Sequence, residues 1–539
     1  MKMKLIVAAL LVLCFSPLLK GQTNSYTVKQ ARAEKTINTQ WTFNYFPETK
    51  MGTGYENANF DDSKWPVVSV PHTWMTYETT KELHPYVKNP SFKDSPYWWD
   101  GWGWYRKHLE ISNNLKDKKI RIEFDAVQKY CKVWLNGKYL GDHKGGFTSF
   151  YFDITDAVNW GGDNVLVLAV NNSLNDKYQI PPMNAGNWTV YGGITRDVKL
   201  VVTDKVHIPY QGSYKHDGGT FVTTPIVNEK EGVVNVKTFV KNDNATVATT
   251  TLKSHIVDAK NNIIETLTET RKIDPGQMQT FEQRSKVIKN PNLWSPESPY
   301  LYQVYSEVYK DNVLVDSYKS PLGFRWFSWN YDRDRLFLNG KEVWVHGQNR
   351  HEEYVWLGGA FPQWIAERDM NDIKYNLNHN FMRTAHYPNA PYVYDYMDKN
   401  GIIINEELPN IKNQVFSDEV QENNAREMVR RDRNHPSIVF WSMGNETTDA
   451  ADSKWVYDED STRIITSRHV YNESMGEYAP HSEKNMSIEG FLRCTIRGWY
   501  DKDDKNFEPD DGQHAGTEEH DHTMALIKDV QKHYGSVWL

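Results

Sequence analysis

At Gly323-Phe324-Arg325 the hydrophobic pattern of this chain changes period, and that change limits what the chain can fold into. From about Trp41 up to that point, apolar residues recur at every second position in short runs broken by turns. Beyond it, apolar runs that do not alternate are separated by stretches with a helical period. Alternation with one wet face builds antiparallel sandwiches, whereas strands buried on both faces and linked by helices build a parallel sheet. Right-handed strand–helix–strand units then favour a (β/α)8 barrel of the TIM type over residues 324–539. The fold class is multidomain β plus α/β.

The alternating half divides in two. Lys119–Phe124 (KIRIEF), Cys131–Leu135 (CKVWL) before Asn136-Gly137, and Asn164–Val170 (NVLVLAV) read as strands of a jelly-roll β-sandwich over residues 22–203. Val233–Val240, Thr249–Ile256 and Tyr300–Tyr309 have the spacing of an immunoglobulin-like β-sandwich over residues 204–323. In the barrel, strands are expected at Val343–His346, Asn380–Arg383, Ile402–Ile404 and Ile438–Trp441. Helices are expected near Pro362–Tyr375, Pro391–Lys399 and Asp418–Arg433. Later strands are sought at His469–Tyr471, Leu492–Thr495, Gln513–Thr517 and Ser536–Leu539, which would leave the barrel truncated in its last strand.

Residues 1–21 begin Met-Lys-Met-Lys and run apolar from Leu5 to Leu19, the plan of a secretory signal peptide. The expectation is an exported protein, periplasmic or extracellular. Cys14 lies inside the apolar run, a poor setting for a lipoprotein anchor. No later stretch reaches the roughly 18 apolar residues of a membrane helix. After cleavage only Cys131 and Cys494 remain, too few for a disulfide framework or a zinc site. A net charge of -8 without a basic patch argues against nucleic acid as a partner. The 20 Trp and 31 Tyr suit sandwich cores, and a few could stack on sugar rings. A homo-oligomer stays open.

Chemistry concentrates in Arg431–Glu446 (RDRNHPSIVFWSMGNE): a helix ending before Pro436, a short buried strand, then Asn445-Glu446. A carboxylate at the carboxyl end of a barrel strand faces the open mouth. This run resembles the acid/base signature of glycoside hydrolase family 2, which includes β-galactosidases and β-glucuronidases. In the first half, Trp65–Trp74, Gly103–Lys107, Val133–Gly141, Gly145–Thr155 and Tyr191–Val198 match the family's sugar-binding domain in order.

The resemblance implies a retaining exo-β-glycosidase acting on a β-linked oligo- or polysaccharide, a β-galactosidase first and a β-glucuronidase as the alternative. It implies no cofactor. Retention needs two carboxyl groups about 5–5.5 Å apart. Glu446 would be the proton donor and Asn445 would bind the sugar 2-hydroxyl. Glu519 is favoured over its neighbour Glu518 as nucleophile, because Glu519-His520-Asp521-His522-Thr523-Met524 keeps the Glu, His and Met of family galactosidases in register. His351, Arg383, His386, His522 and Trp538 would contact substrate, and Glu407 aligns with the family's carboxylate after the third strand. The donor's pKa would be raised by burial near Trp441 and by the anionic nucleophile. Two departures stand out. Thr447-Thr448-Asp449 replaces the usual Gly-His-Gly, and Leu408–Lys412 (LPNIK) lacks the Glu-x-His magnesium ligands, so no metal is expected. A reading from another class is a non-catalytic carbohydrate-binding protein with an incomplete barrel.

Overall fold

The computed structural model describes residues 25–46, 50–75, 99–174, 177–182, 189–330, 335–354, 357–411, 417–445 and 452–466. The first sandwich packs a four-stranded sheet (Ala33–Thr36, Val198–Thr203, Lys119–Phe124, Phe150–Asp153) on a six-stranded one containing Trp41–Phe46, Trp102–Glu110, Asp163–Asn171, Tyr130–Leu135 and Lys138–Lys144. Trp41–Phe46 shows why: alternate residues are buried, and Trp41 and Phe43 enter the core with Tyr105, Ile122 and Phe124. Asn136 and Gly137 take φ of +55° and +79°, the two positive values that let a two-residue hairpin follow strand twist.

The second sandwich has a sheet built on Glu231–Asn242 and a four-stranded sheet of Ile263–Ile273, Ala248–Val257, Tyr302–Lys310 and Val313–Leu322. The chain before Ala33 lies against this second unit. The Tyr26 hydroxyl donates to Glu307 at 2.8 Å, and Arg32 forks onto Asp316 at 3.1 and 2.8 Å.

Five parallel strands of the barrel follow in sequence order: Gly347–Asn349, Phe381–Arg383, Ile403–Glu407, Ile438–Ser442 and Ile464–Thr466. Between them run the helices Gln363–Asn371, Pro391–Asn400, Asp418–Asp432 and Asp452–Glu459. Local chemistry sets their ends. Pro391 opens its helix at the first turn, and Gly401 closes it in the left-handed conformation at φ +67°. Ser417 caps the third helix by accepting the Val420 N–H, with Asp418 and Glu419 in the first turn and Arg430 and Arg431 in the last.

Two expectations need correction. The run placed as the first barrel strand, Val343–His346, is not in the parallel sheet. Lys341–Val343 pairs antiparallel with Arg335–Leu338 through the Asn339-Gly340 turn, both at positive φ. Leu336 and Leu338 cluster with Ile403, Phe440 and Ile464, so this hairpin plugs the barrel interior below the mouth. The parallel sheet starts only at Gly347. The fifth strand, Ile464–Thr466, was passed over in sequence, while the positions sought at His469–Tyr471 and later lie outside the described residues. Among the described residues no helix is long and apolar enough to cross a membrane.

Candidate active site

Alternation along the barrel strands sorts side chains into two layers. Met382, Ile404, Trp441 and Ile465 face outward into the layer shared with the helices, in one cluster with Met370 and Met397. Phe381, Ile403, Phe440 and Ile464 face inward. Two residues further along each strand, the inward positions are Arg383, Asn405, Ser442 and Thr466. The barrel interior thus turns from apolar to polar at the carboxyl ends of its strands, where Glu407 also stands.

Glu407 organises that end. Its Oε2 accepts from Arg383 Nε at 2.6 Å and Ser442 Oγ at 2.8 Å, and its Oε1 from His386 Nδ1 at 2.8 Å. A carboxylate only accepts, so His386 carries its proton on Nδ1. The Glu407 backbone N–H donates to Thr384 Oγ1 at 2.9 Å. Complete burial works to raise the Glu407 carboxyl, but Arg383 and His386 outweigh it and hold the pKa at about 2. The group is therefore an anion at any physiological pH.

Arg383 passes the order on: its second nitrogen donates to Asn445 Oδ1 at 3.1 Å. Asn445 is held from behind by its own N–H to the Asn410 carbonyl at 2.9 Å. His351 meets the His386 ring edge-on at 5.1 Å between centroids and lies 3.4 Å from the Tyr387 hydroxyl. Burial, then the neighbouring His386, lower its pKa to about 4, so it is a neutral imidazole. One step along the strand from Glu407, Glu406 faces the other way. It accepts from Tyr394 at 2.8 Å, and burial and Asp432 push its carboxyl well above the usual range. The two adjacent carboxyls are shifted in opposite directions because the strand points them into different surroundings.

Of the site residues read from sequence, the structure brings His351, Arg383, His386 and Asn445 into one constellation with Glu407. Glu446, Glu518, Glu519, His522 and Trp538 lie outside the described residues. Trp441 must be reassigned. It is fully buried in the helix layer, with its indole N–H on Asp460 at 3.1 Å, and so does not line the mouth beside a proton donor. Ser442 lies one residue beyond the strand expected at Ile438–Trp441, and a polar residue closing an apolar run is its signal.

Arg350, Arg196 and Glu352 form a second, buried layer: Arg196 meets Glu352 at 2.7 Å, and Arg350 meets the same carboxylate at 3.4 Å. Among the described residues one group has metal-ligand spacing, Asp395, Asp398 and His435. Asp398 there is already engaged, with His435 at 2.6 Å and the Ser437 N–H at 2.9 Å, in an ion pair that ties helix to strand.

Comparison with known proteins finds the same three domains in order. The family model for the glycosyl hydrolases family 2 sugar binding domain matches residues 34–204, the central family 2 model matches 218–325, and the family 2 TIM barrel domain model matches 331–490. A putative β-glucuronidase of Formosa agariphila is 30% identical over 502 residues, covering 90% of this chain and 55% of that protein. A β-galactosidase of Thermoanaerobacter pseudethanolicus is 30% identical over 445 residues, covering 80% and 54%. The crystal structure of a Bacteroides uniformis β-glucuronidase superposes with a TM-score of 0.72 at 30% identity, over 83% of this chain and 54% of that one. The chain spans about half the length of these relatives. With three successive domains matched in order, the chain belongs to glycoside hydrolase family 2.

Proposed function

We propose that this chain carries the site of a retaining exo-β-glycosidase, with a terminal β-galactoside as the first candidate substrate. The observation that carries the reading is the Glu407 clamp. It fixes Arg383, which fixes the amide of Asn445 at the strand end immediately before Glu446. Because the amide oxygen of Asn445 accepts from Arg383, its NH2 end is the one turned toward a sugar hydroxyl. A hydrogen bond to the 2-hydroxyl strengthens as oxocarbenium character develops. Glu446 would protonate the leaving oxygen, Glu519 would attack the anomeric carbon to form a glycosyl-enzyme, and Glu446 would then activate water.

A neutral sugar is placed first because Arg383 at the described mouth and Arg350 in the buried layer beside it both face protein carboxylates. The second reading, a β-glucuronidase, is supported by relatives of that name over most of the chain. The leader-like residues 1–21 support an exported enzyme.

The test is turnover of aryl β-galactoside and aryl β-glucuronide, with the anomer of the first-formed product read by NMR. Retained β configuration is expected; inversion, or binding of sugar without turnover of either substrate, overturns the proposal. Glu446→Gln should slow substrates with poor leaving groups far more than activated aryl glycosides. Equal losses on both would remove Glu446 from the acid role.

A further inference from the structure

Two residues past His351, the side chain of Glu353 stands at the rim of the mouth, 32% exposed. Its Oε1 lies 4.0 Å from His351 Nδ1, and its Oε2 accepts from the Tyr191 hydroxyl at 2.9 Å. Tyr191 belongs to the jelly-roll unit, and the loop after the first barrel strand curls around its ring. Tyr354 and Gly358 exchange backbone hydrogen bonds of 2.9 and 2.8 Å, and Gly358 sits at φ +59°. A Cβ at Gly358 would come within 2.5 Å of the Tyr191 ring. The position of Glu353 is therefore built, from both domains at once.

Its surroundings are unusual for a half-buried carboxylate. Among the described residues no lysine or arginine pairs with it, and the histidine beside it is neutral. Burial raises its carboxyl, with the Tyr191 hydrogen bond opposing. A carboxylate has acceptor sites for about four donors, and Tyr191 fills one. Sugar hydroxyls are the donors a glycosidase mouth receives. An anionic substituent arriving there would meet like charge with no paired cation among the described residues, a repulsion that discriminates as effectively as an attraction.

We propose that Glu353, presented by Tyr191 of the neighbouring sandwich, is a specificity-determining residue that accepts a hydroxyl of a neutral sugar and disfavours sugars bearing a carboxylate or sulfate at that place. The inference rests on the glycosidase reading of the same mouth.

The experiment measures kcat and KM for aryl β-galactoside and aryl β-glucuronide with the full chain, its Glu353→Gln variant and its Tyr191→Phe variant. Glu353→Gln should raise KM for the galactoside about tenfold, with a smaller change in kcat, the size expected for one hydrogen bond to a charged group. It should move the galactoside-to-glucuronide ratio of kcat/KM about tenfold or more toward the glucuronide. Tyr191→Phe, which frees the carboxylate without removing it, should move the ratio the same way by less. An unchanged ratio in a Glu353→Gln protein that melts like the parent overturns the proposal and leaves the glycosidase reading intact. Failure of the parent chain to turn over either substrate overturns that reading and the proposal with it.

Discussion

A carboxylate shut off from water stays charged only if its neighbours replace the hydration it loses, and Glu407 has three that do. Its pKa lies below the ordinary carboxylate value, so the stability it lends is present above about pH 4.5 and is lost as pH falls toward about 2. Glu407→Gln would leave the half-buried Arg383 against a neutral amide. We expect a loss of about 3–5 kcal/mol in stability and a fall in kcat/KM of about a hundredfold or more, read by denaturant melts and steady-state kinetics. A variant with unaltered kinetics would remove Glu407 from the organisation of the mouth.

His435 shows the opposite sign. Burial opposes its charge, but Asp398 at 2.6 Å outweighs burial and raises the imidazole to about 9. Asp395 and Asp432 act in the same direction. Its contribution is therefore complete below about pH 6.5 and lost as pH rises through 9. The Tm gap between the parent and His435→Gln should be widest near pH 6 and narrow by pH 10.

Among the elements, the turn leaving the fourth barrel strand carries the tightest constraint near the site. Gly444 takes φ +126°, and a Cβ there would stand 2.6 Å from Asn410 Cβ and 2.7 Å from the Asn410 carbonyl oxygen. Gly444→Ala should cost about 1–3 kcal/mol in backbone strain. It should also lower kcat by at least about tenfold by moving Asn445 off Arg383; loss of stability with kcat unchanged would show that the turn matters to folding alone. The strand before this turn was legible in sequence because an apolar run bounded by Pro436 has few alternatives. Ser442 was not, since hydrophobic periodicity marks cores and falls silent at strand ends, where the mouth is made.

The same blindness misplaced the first barrel strand. Asn339-Gly340 has the turn chemistry of Asn136-Gly137, but Val343–His346 is long enough to pass for a buried parallel strand, and only the pairing of Lys341–Val343 with Arg335–Leu338 decides. Adjacent residues of one strand, such as Glu406 and Glu407, face opposite ways. Which one faces the mouth depends on the register with Trp441 and Ser442.

At the scale of the whole molecule, the jelly-roll unit grips the barrel mouth through contacts that no local pattern announces. Arg196 reaches across 156 positions to Glu352 at 2.7 Å, and the same nitrogen meets the Pro388 carbonyl at 2.6 Å. Its other terminal nitrogen holds the Phe147 carbonyl at 2.9 Å. Phe147 stacks flat on Tyr387, 3.7 Å apart and 6° from parallel, and the Tyr387 hydroxyl accepts the Glu352 N–H at 3.1 Å beside His351. One arginine and one ring thus set the loops after the first two barrel strands, and with them the His351 imidazole.

Arg196→Met should cost about 3–5 kcal/mol because Glu352 then keeps only the Ala390 N–H at 3.0 Å and the longer charged contact to Arg350. KM for the aryl glycoside should rise with it as His351 loosens. Phe147→Ala should act on the same loops, so the double variant should lose less than the sum of the singles. Arg196→Lys separates charge from geometry. A lysine restores the ion pair, but a single ammonium cannot span Glu352, Pro388 and Phe147 together. Stability should therefore recover further than KM does. Recovery of both in equal measure would mean that charge alone, and not the fork, holds the sandwich to the mouth.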